Sequence, residues 1–87
     1  MVKGLEEIVE AVGERARWSK KRGNHLLQEL DEFVKGKVKV ENVINLLPYC
    51  VDYHFKLNDV SCRITLENNF VSESFKVIGY CEAKVYD

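Results

Sequence analysis

Residues Tyr49 to Leu66 constrain the fold of this chain more than any other stretch. Tyr49, Val51, Tyr53, Phe55 and Leu57 alternate with Cys50, Asp52, His54 and Lys56. Val60, Cys62, Ile64 and Leu66 then alternate with Ser61, Arg63, Thr65 and Glu67. Successive side chains of a strand point to opposite faces, so strict alternation marks a strand buried on one face. Between the two runs stands Asn58-Asp59, residue types that tolerate the positive φ of a two-residue hairpin turn. Folding there sets Leu57 opposite Val60, Phe55 opposite Cys62, Tyr53 opposite Ile64 and Val51 opposite Leu66. Every pair on that face is apolar, and a one-residue slip would turn all of them to water.

A third strand is expected from Phe75 to about Val85, after the polar connection Asn68 to Ser74. Returning on the second strand, Phe75 is expected opposite Leu66, Val77 opposite Ile64, Gly79 opposite Cys62 and Cys81 opposite Val60. Ala83 to Asp87 would then overhang the hairpin, pair with Val38-Val40, or pair with another chain.

The N-terminal third has helical periodicity. Val2, Leu5, Val9, Val12, Ala16, Ser19, Gly23, Leu26, Leu30 and Phe33 recur at steps of three and four. One long or kinked helix, with small residues at its middle, competes with two helices broken at Gly23-Asn24; the single helix is preferred because a two-residue connection is short. Lys35-Gly36-Lys37 is expected to end it. Val40, Val43, Ile44 and Leu47 predict two further turns of amphipathic helix stopped by Pro48, with a strand over Lys37 to Val40 as the rival for its first half. The expected architecture is α+β and a single domain over residues 1–87. An N-terminal helix, long or broken, and a short helix pack on one face of a three-stranded antiparallel β-meander.

Composition narrows the function classes. The 87 residues carry a formal net charge of −1, so no global charge draws the chain to nucleic acid or to an anionic membrane. No run approaches the length of a membrane span, and the N-terminus passes directly into an amphipathic pattern, so no membrane and no targeting peptide are expected. Three cysteines, an odd number, argue for a reducing cytoplasm and three free thiols, with Cys62 and Cys81 as diagonal neighbours. No C-x-x-C or H-x-x-x-H spacing is present, and Cys50 and His54 on one strand lie about 13 Å apart, too far to share zinc. No metal and no cofactor are expected.

Two surfaces stand out. The first is the outward sheet face, where Ile78 and Tyr80 must point away from a helix-covered core because Val77 and Gly79 point into it. Lys56, Ser61 and Tyr80 are expected in one row, His54, Arg63 and Ile78 in the next, and Asp52, Thr65 and Lys76 in a third, with Tyr86 extending the face. Apolar anchors ringed by His54, Arg63 and Lys76 suit a protein partner or a second copy.

The second surface is the basic segment Arg15, Arg17, Lys20, Lys21 and Arg22 around Trp18, uninterrupted by acid up to His25. It can follow phosphates with Trp18 stacking on a base, or simply complement the helix dipole, with Glu6, Glu7, Glu10 and Glu14 at the other end.

The function expected is therefore a non-catalytic interaction module: a small cytosolic regulator, inhibitor or accessory subunit, self-associating as a homodimer. The dimer would use the helical seam or the edge from Ala83 to Asp87. A nucleic-acid binder using Arg15 to Arg22 is the alternative. A small phosphate-handling enzyme around His54 and Arg63 comes third, because an open sheet offers no pocket and the sequence has no Gly-rich phosphate loop.

Overall fold

The computed structural model describes residues 4–82. Its elements are α1 (Leu5–Trp18), α2 (Gly23–Lys37), β1 (Asn42–Leu46), β2 (Cys50–Leu57), β3 (Val60–Asn69) and β4 (Ser74–Cys81). The strands form one antiparallel sheet in the order β1-β2-β3-β4, and both helices lie on one face of it.

The β2–β3 hairpin has the expected register, with Leu57 against Val60, Phe55 against Cys62, Tyr53 against Ile64 and Val51 against Leu66. Asn58 and Asp59 take φ of 51° and 66°, the left-handed pair that a tight hairpin turn needs. Val51, Tyr53, Phe55, Cys62, Ile64 and Leu66 are all buried.

Four expectations are corrected. The sheet has four strands, not three. The fourth is β1, where a short helix from Val40 to Leu47 was expected; Val43 and Ile44 are consecutive, as are Leu46 and Leu47, and such doublets fit a helical seam better than alternation. In a strand they place apolar residues on both faces. Pro48 closes the β1–β2 turn, in which the Tyr49 N–H donates to the Leu46 carbonyl at 3.0 Å.

The N-terminal helix is broken, and the connection is Ser19 to Arg22, before Gly23 rather than after it. Ser19 is extended, and Gly23 opens α2 at φ 60°, a conformation that costs glycine nothing. The Gly23 N–H donates to the Glu73 carbonyl at 3.0 Å and so ties the start of α2 to the β3–β4 turn. Ser19 and Gly23 thus belong to the connection and its edge, Val34 rather than Phe33 completes the buried stripe of α2, and Gly36 lies inside that helix.

The β3–β4 register is shifted by two residues: Phe75 opposes Asn68, Val77 opposes Leu66, Gly79 opposes Ile64 and Cys81 opposes Cys62. A shift of two leaves every side chain on its expected face, so the inward pattern alone does not separate the registers. What selects the observed one is the turn. Asn69 Oδ1 accepts the N–H groups of Val71 and Ser72 at 3.1 and 3.3 Å, which confines the loop to Phe70–Glu73 and carries β3 on through Asn68 and Asn69. Ala83 to Asp87, on which the overhang rested, and Val2 lie outside the described residues.

The core joins Leu5, Val12 and Ala16 of α1 and Leu26, Leu30 and Val34 of α2 to the inward faces of β2, β3 and β4. α1 seats on β4 at Gly79, where an added Cβ would collide with the Val9 side chain and touch Leu5. α2 is bound to β2 by the fully buried Tyr53, whose hydroxyl donates to Asp31 Oδ1 at 2.5 Å; Lys35 pairs with the other oxygen at 3.0 Å.

Two predictions follow from this packing. Gly79→Ala should lower stability by about 1–3 kcal/mol through overpacking, while Gly13→Ala, in open space inside α1, should raise it by about 0.5–1 kcal/mol; urea melts of both variants check the contrast. Burial, then the hydrogen bond and charge of Asp31, hold the Tyr53 phenol protonated far above its ordinary value of 10.0. The unfolded chain releases this proton above about pH 10 and the folded chain does not, so the contribution is whole below that pH and is lost as pH rises beyond it. Tyr53→Phe should therefore flatten the alkaline fall in stability, at a cost of about 1–2 kcal/mol near neutrality.

Candidate interaction face of the sheet

The helices leave the other face of the sheet without a covering element among the described residues. Registers of the three hairpins set its rows. Asn42, His54, Arg63 and Tyr80 form one; Ile44, Asp52, Thr65 and Ile78 the next; Leu46, Cys50, Glu67 and Lys76 the third. The two-residue shift of β4 moves Tyr80 beside Arg63, Ile78 beside Thr65 and Lys76 beside Glu67, one row from where each was expected.

Tyr80 is 54% exposed and Ile78 37%, large values for side chains in the body of a strand. The Arg63 guanidinium lies 5.2 Å from the centroid of the Tyr80 ring, a cation–π contact that holds the ring in place. At the centre of the face the Thr65 hydroxyl donates to Asp52 Oδ1 at 2.7 Å. His54 Nε2 is buried with no hydrogen-bond partner among the described residues, at a hollow of about 150 Å³ lined by His54, Ser61, Arg63, Tyr80 and Glu82. Five of the six residues expected to bind a partner are thus on one surface. The sixth, Tyr86, lies outside the described residues.

Ile44 and Leu46 of β1, 39% and 50% exposed, belong to the same face and were missed, because their segment read as a helix. Spacing offered no signal that separates strand from helix, since the doublets Val43-Ile44 and Leu46-Leu47 fit a helix as well.

The basic segment divides. Arg15, Trp18, Lys20 and Lys21 line one groove of about 580 Å³ between α1 and α2, together with Glu29 and Phe33. Arg15 is held there 4.7 Å from the Phe33 ring and 4.0 Å from Glu29 Oε1. Arg17 lies apart, with Gly13, Ser74 and Lys76, and Arg22 turns back to donate to the carbonyls of Ser19 and Lys21 at 2.6 and 2.7 Å.

The expectation of three free thiols is also corrected. Cys62 and Cys81 face each other directly across β3 and β4, with 4.1 Å between Cα atoms, and their sulfurs are bonded; only Cys50 is free. The shifted register turns diagonal neighbours into opposed ones. Burial, then the charges of Asp52 and Glu67, push the Cys50 thiol above its usual range, which disfavours the reactive thiolate. Thiol titration of the denatured, unreduced protein should count one, rising to three after reduction. Closing a loop of separation 19 contributes about 3 kcal/mol at most, so reductant should lower the melting temperature.

No family model, characterised protein or solved structure matches this chain.

Proposed function

We propose that this protein is a non-catalytic interaction module, a small regulator, inhibitor or accessory subunit that self-associates and docks a protein partner on the outward face of its sheet. The observation that carries this reading is the pair Tyr80 and Ile78, exposed on an uncovered face, with the Tyr80 ring fixed by Arg63. A pre-positioned aromatic loses little freedom on binding, which is why such rings serve as anchors worth about 2 kcal/mol or more. His54, Arg63 and Lys76 surround the anchors and set orientation through charge and hydrogen bonds. The compartment proposed is the cytoplasm, where the Cys62–Cys81 bond, with Cys81 only half-buried, would be open to reduction; no described helix is long and apolar enough to cross a membrane.

Nucleic-acid binding is the second reading, favoured by the convergence of Arg15, Trp18, Lys20 and Lys21 on one groove. Its affinity would collapse as salt rises, because phosphate contacts release counterions, whereas apolar docking persists. A phosphate-handling enzyme around His54 has less support, since its hollow of about 150 Å³ falls below the roughly 300 Å³ of ordinary small-molecule sites.

Capture of a partner from native lysate, repeated with variants, tests the ranking. Tyr80→Ala and Arg63→Glu should each weaken capture about tenfold or more while leaving thermal stability within about 1 kcal/mol of the parent. Lys20→Glu with Lys21→Glu should leave capture unchanged. Capture lost only in the lysine variant, and abolished by salt, would promote nucleic-acid binding. Unfolding of Tyr80→Ala would show that the ring is structural and that the face is wrongly assigned.

A further inference from the structure

β1 is the one element of the sheet with every residue exposed, although it is paired along its full length with β2. Val43 opposes the fully buried Tyr53 and so points to the helix side; Ile44 and Leu46 point to the outward side. A strand apolar on both faces is ordinarily a strand covered on both faces. Here neither cover exists among the described residues. On the helix side the gap is a groove of about 520 Å³ between α2 and β1, lined by Leu27, Asp31, Lys35, Val43, Leu47 and Tyr53. The outer edge of β1 faces no strand among the described residues, so its alternate N–H and C=O groups are open to pairing. β1 is short, but three other devices that blunt such an edge are missing: Asn42 to Leu46 contains no charge, no proline and no bulge.

We infer that β1 is a homodimerisation edge, on which a second copy of this chain pairs antiparallel through its own β1. This rests on the self-association in the function proposed above and names the surface. Residues facing each other in a ladder share a face, so a two-fold pairing of β1 with itself permits only registers that match a residue to one of its own parity. Full overlap of the strand puts Ile44 on the two-fold axis, against Ile44 of the second copy. Val43 then opposes Asn45, and Asn42 opposes Leu46. No like charges meet across the ladder, because the strand has none.

The same operation gives the side chains on both faces of β1 lateral neighbours and leaves the outward face open. On the outward side Ile44 of one copy packs beside Ile44 of the other and Leu46 beside Asn42, and the two apolar α2–β1 grooves come to flank the same seam on the helix side. The charges that border that groove, Asp31 and Lys35, already pair with each other, so two copies can bring their grooves to one seam without opposing unpaired charge. A foreign extended peptide would satisfy the edge without bringing this second groove. The dimer joins the two four-stranded sheets into one and makes their docking faces continuous.

Sedimentation equilibrium of the full chain, from micromolar to about 100 μM, provides the test, with Ile44→Lys as the disrupting variant. The parent should be a dimer, and Ile44→Lys should weaken it about 100-fold, because the ammonium groups of both copies meet at the axis. Ile44 is exposed, so the monomer's melting curve should stay in place. Register is read separately by cysteine cross-linking in a Cys50→Ser background. Ile44→Cys should form a covalent dimer under mild oxidation, and Asn58→Cys, at the far hairpin turn, should not. If Ile44→Lys fails to fold, the cross-link decides alone.

A monomeric parent up to about 100 μM overturns the inference but leaves partner docking to be judged by the Tyr80→Ala capture assay. A monomer that instead binds an extended peptide along β1 overturns the second copy as occupant. A dimer indifferent to Ile44→Lys and lost in Tyr80→Ala overturns the edge in favour of the outward face.

Discussion

The seat of α1 on Gly79 sets the position of the rest of the molecule. A helix normally rides about 10 Å above a sheet, its side chains interleaved with those below. At Gly79 the strand offers no side chain, and Val9 and Leu5 occupy the space instead. Gly79 lies on β4, the last strand of the sheet, so α1 is held at that side rather than over the centre. α2 packs beside α1, and reaches β2 through the bond between Tyr53 and Asp31. Two helices placed in this way leave β1 bare on the face they cover elsewhere.

That asymmetry gives the molecule two sides of different chemistry. On the β4 side α1 covers the helix face and the Cys62–Cys81 bond ties β4 to β3, while the outer edge of β4 faces no strand among the described residues. The β1 side is open in every direction: along its edge, toward the groove with α2, and on the outward face. The outward face itself combines an exposed aromatic ring, Tyr80 beside Arg63, with a satisfied polar centre, Thr65 to Asp52. Surfaces of this kind orient partners by their polar groups and gain affinity from their apolar ones. The basic groove of Arg15, Trp18, Lys20 and Lys21 lies on the helix layer, on the far side from that face.

Much of this was legible where one physical rule acts alone. Alternation with Asn58-Asp59 at its centre gave the hairpin its register, because turn geometry and face parity agree there. The same parity put Ile78 and Tyr80 outward and Phe75, Val77 and Gly79 inward. It failed to place them in rows, since a shift of two residues keeps parity; the hydrogen bonds of Asn69 that fix the turn are not a periodic signal. The break at Ser19 to Arg22 was obscured because its residues continue the helical spacing, whereas the Gly23 to Glu73 bond that anchors it is long-range.

Sequence by itself determined the α+β class, the β2–β3 hairpin and the two faces of the sheet, because each depends on neighbours within a few residues and on the two-residue period of a strand. Tertiary structure alone decided that Cys62 meets Cys81, that α1 takes the β4 side, and that Asn42–Leu46 is a strand beside an unfilled groove. Those outcomes depend on which segments meet across the fold. Apolar doublets such as Val43-Ile44 satisfy a helix and a doubly covered strand equally well, and only the shape of the surrounding layers separates the two.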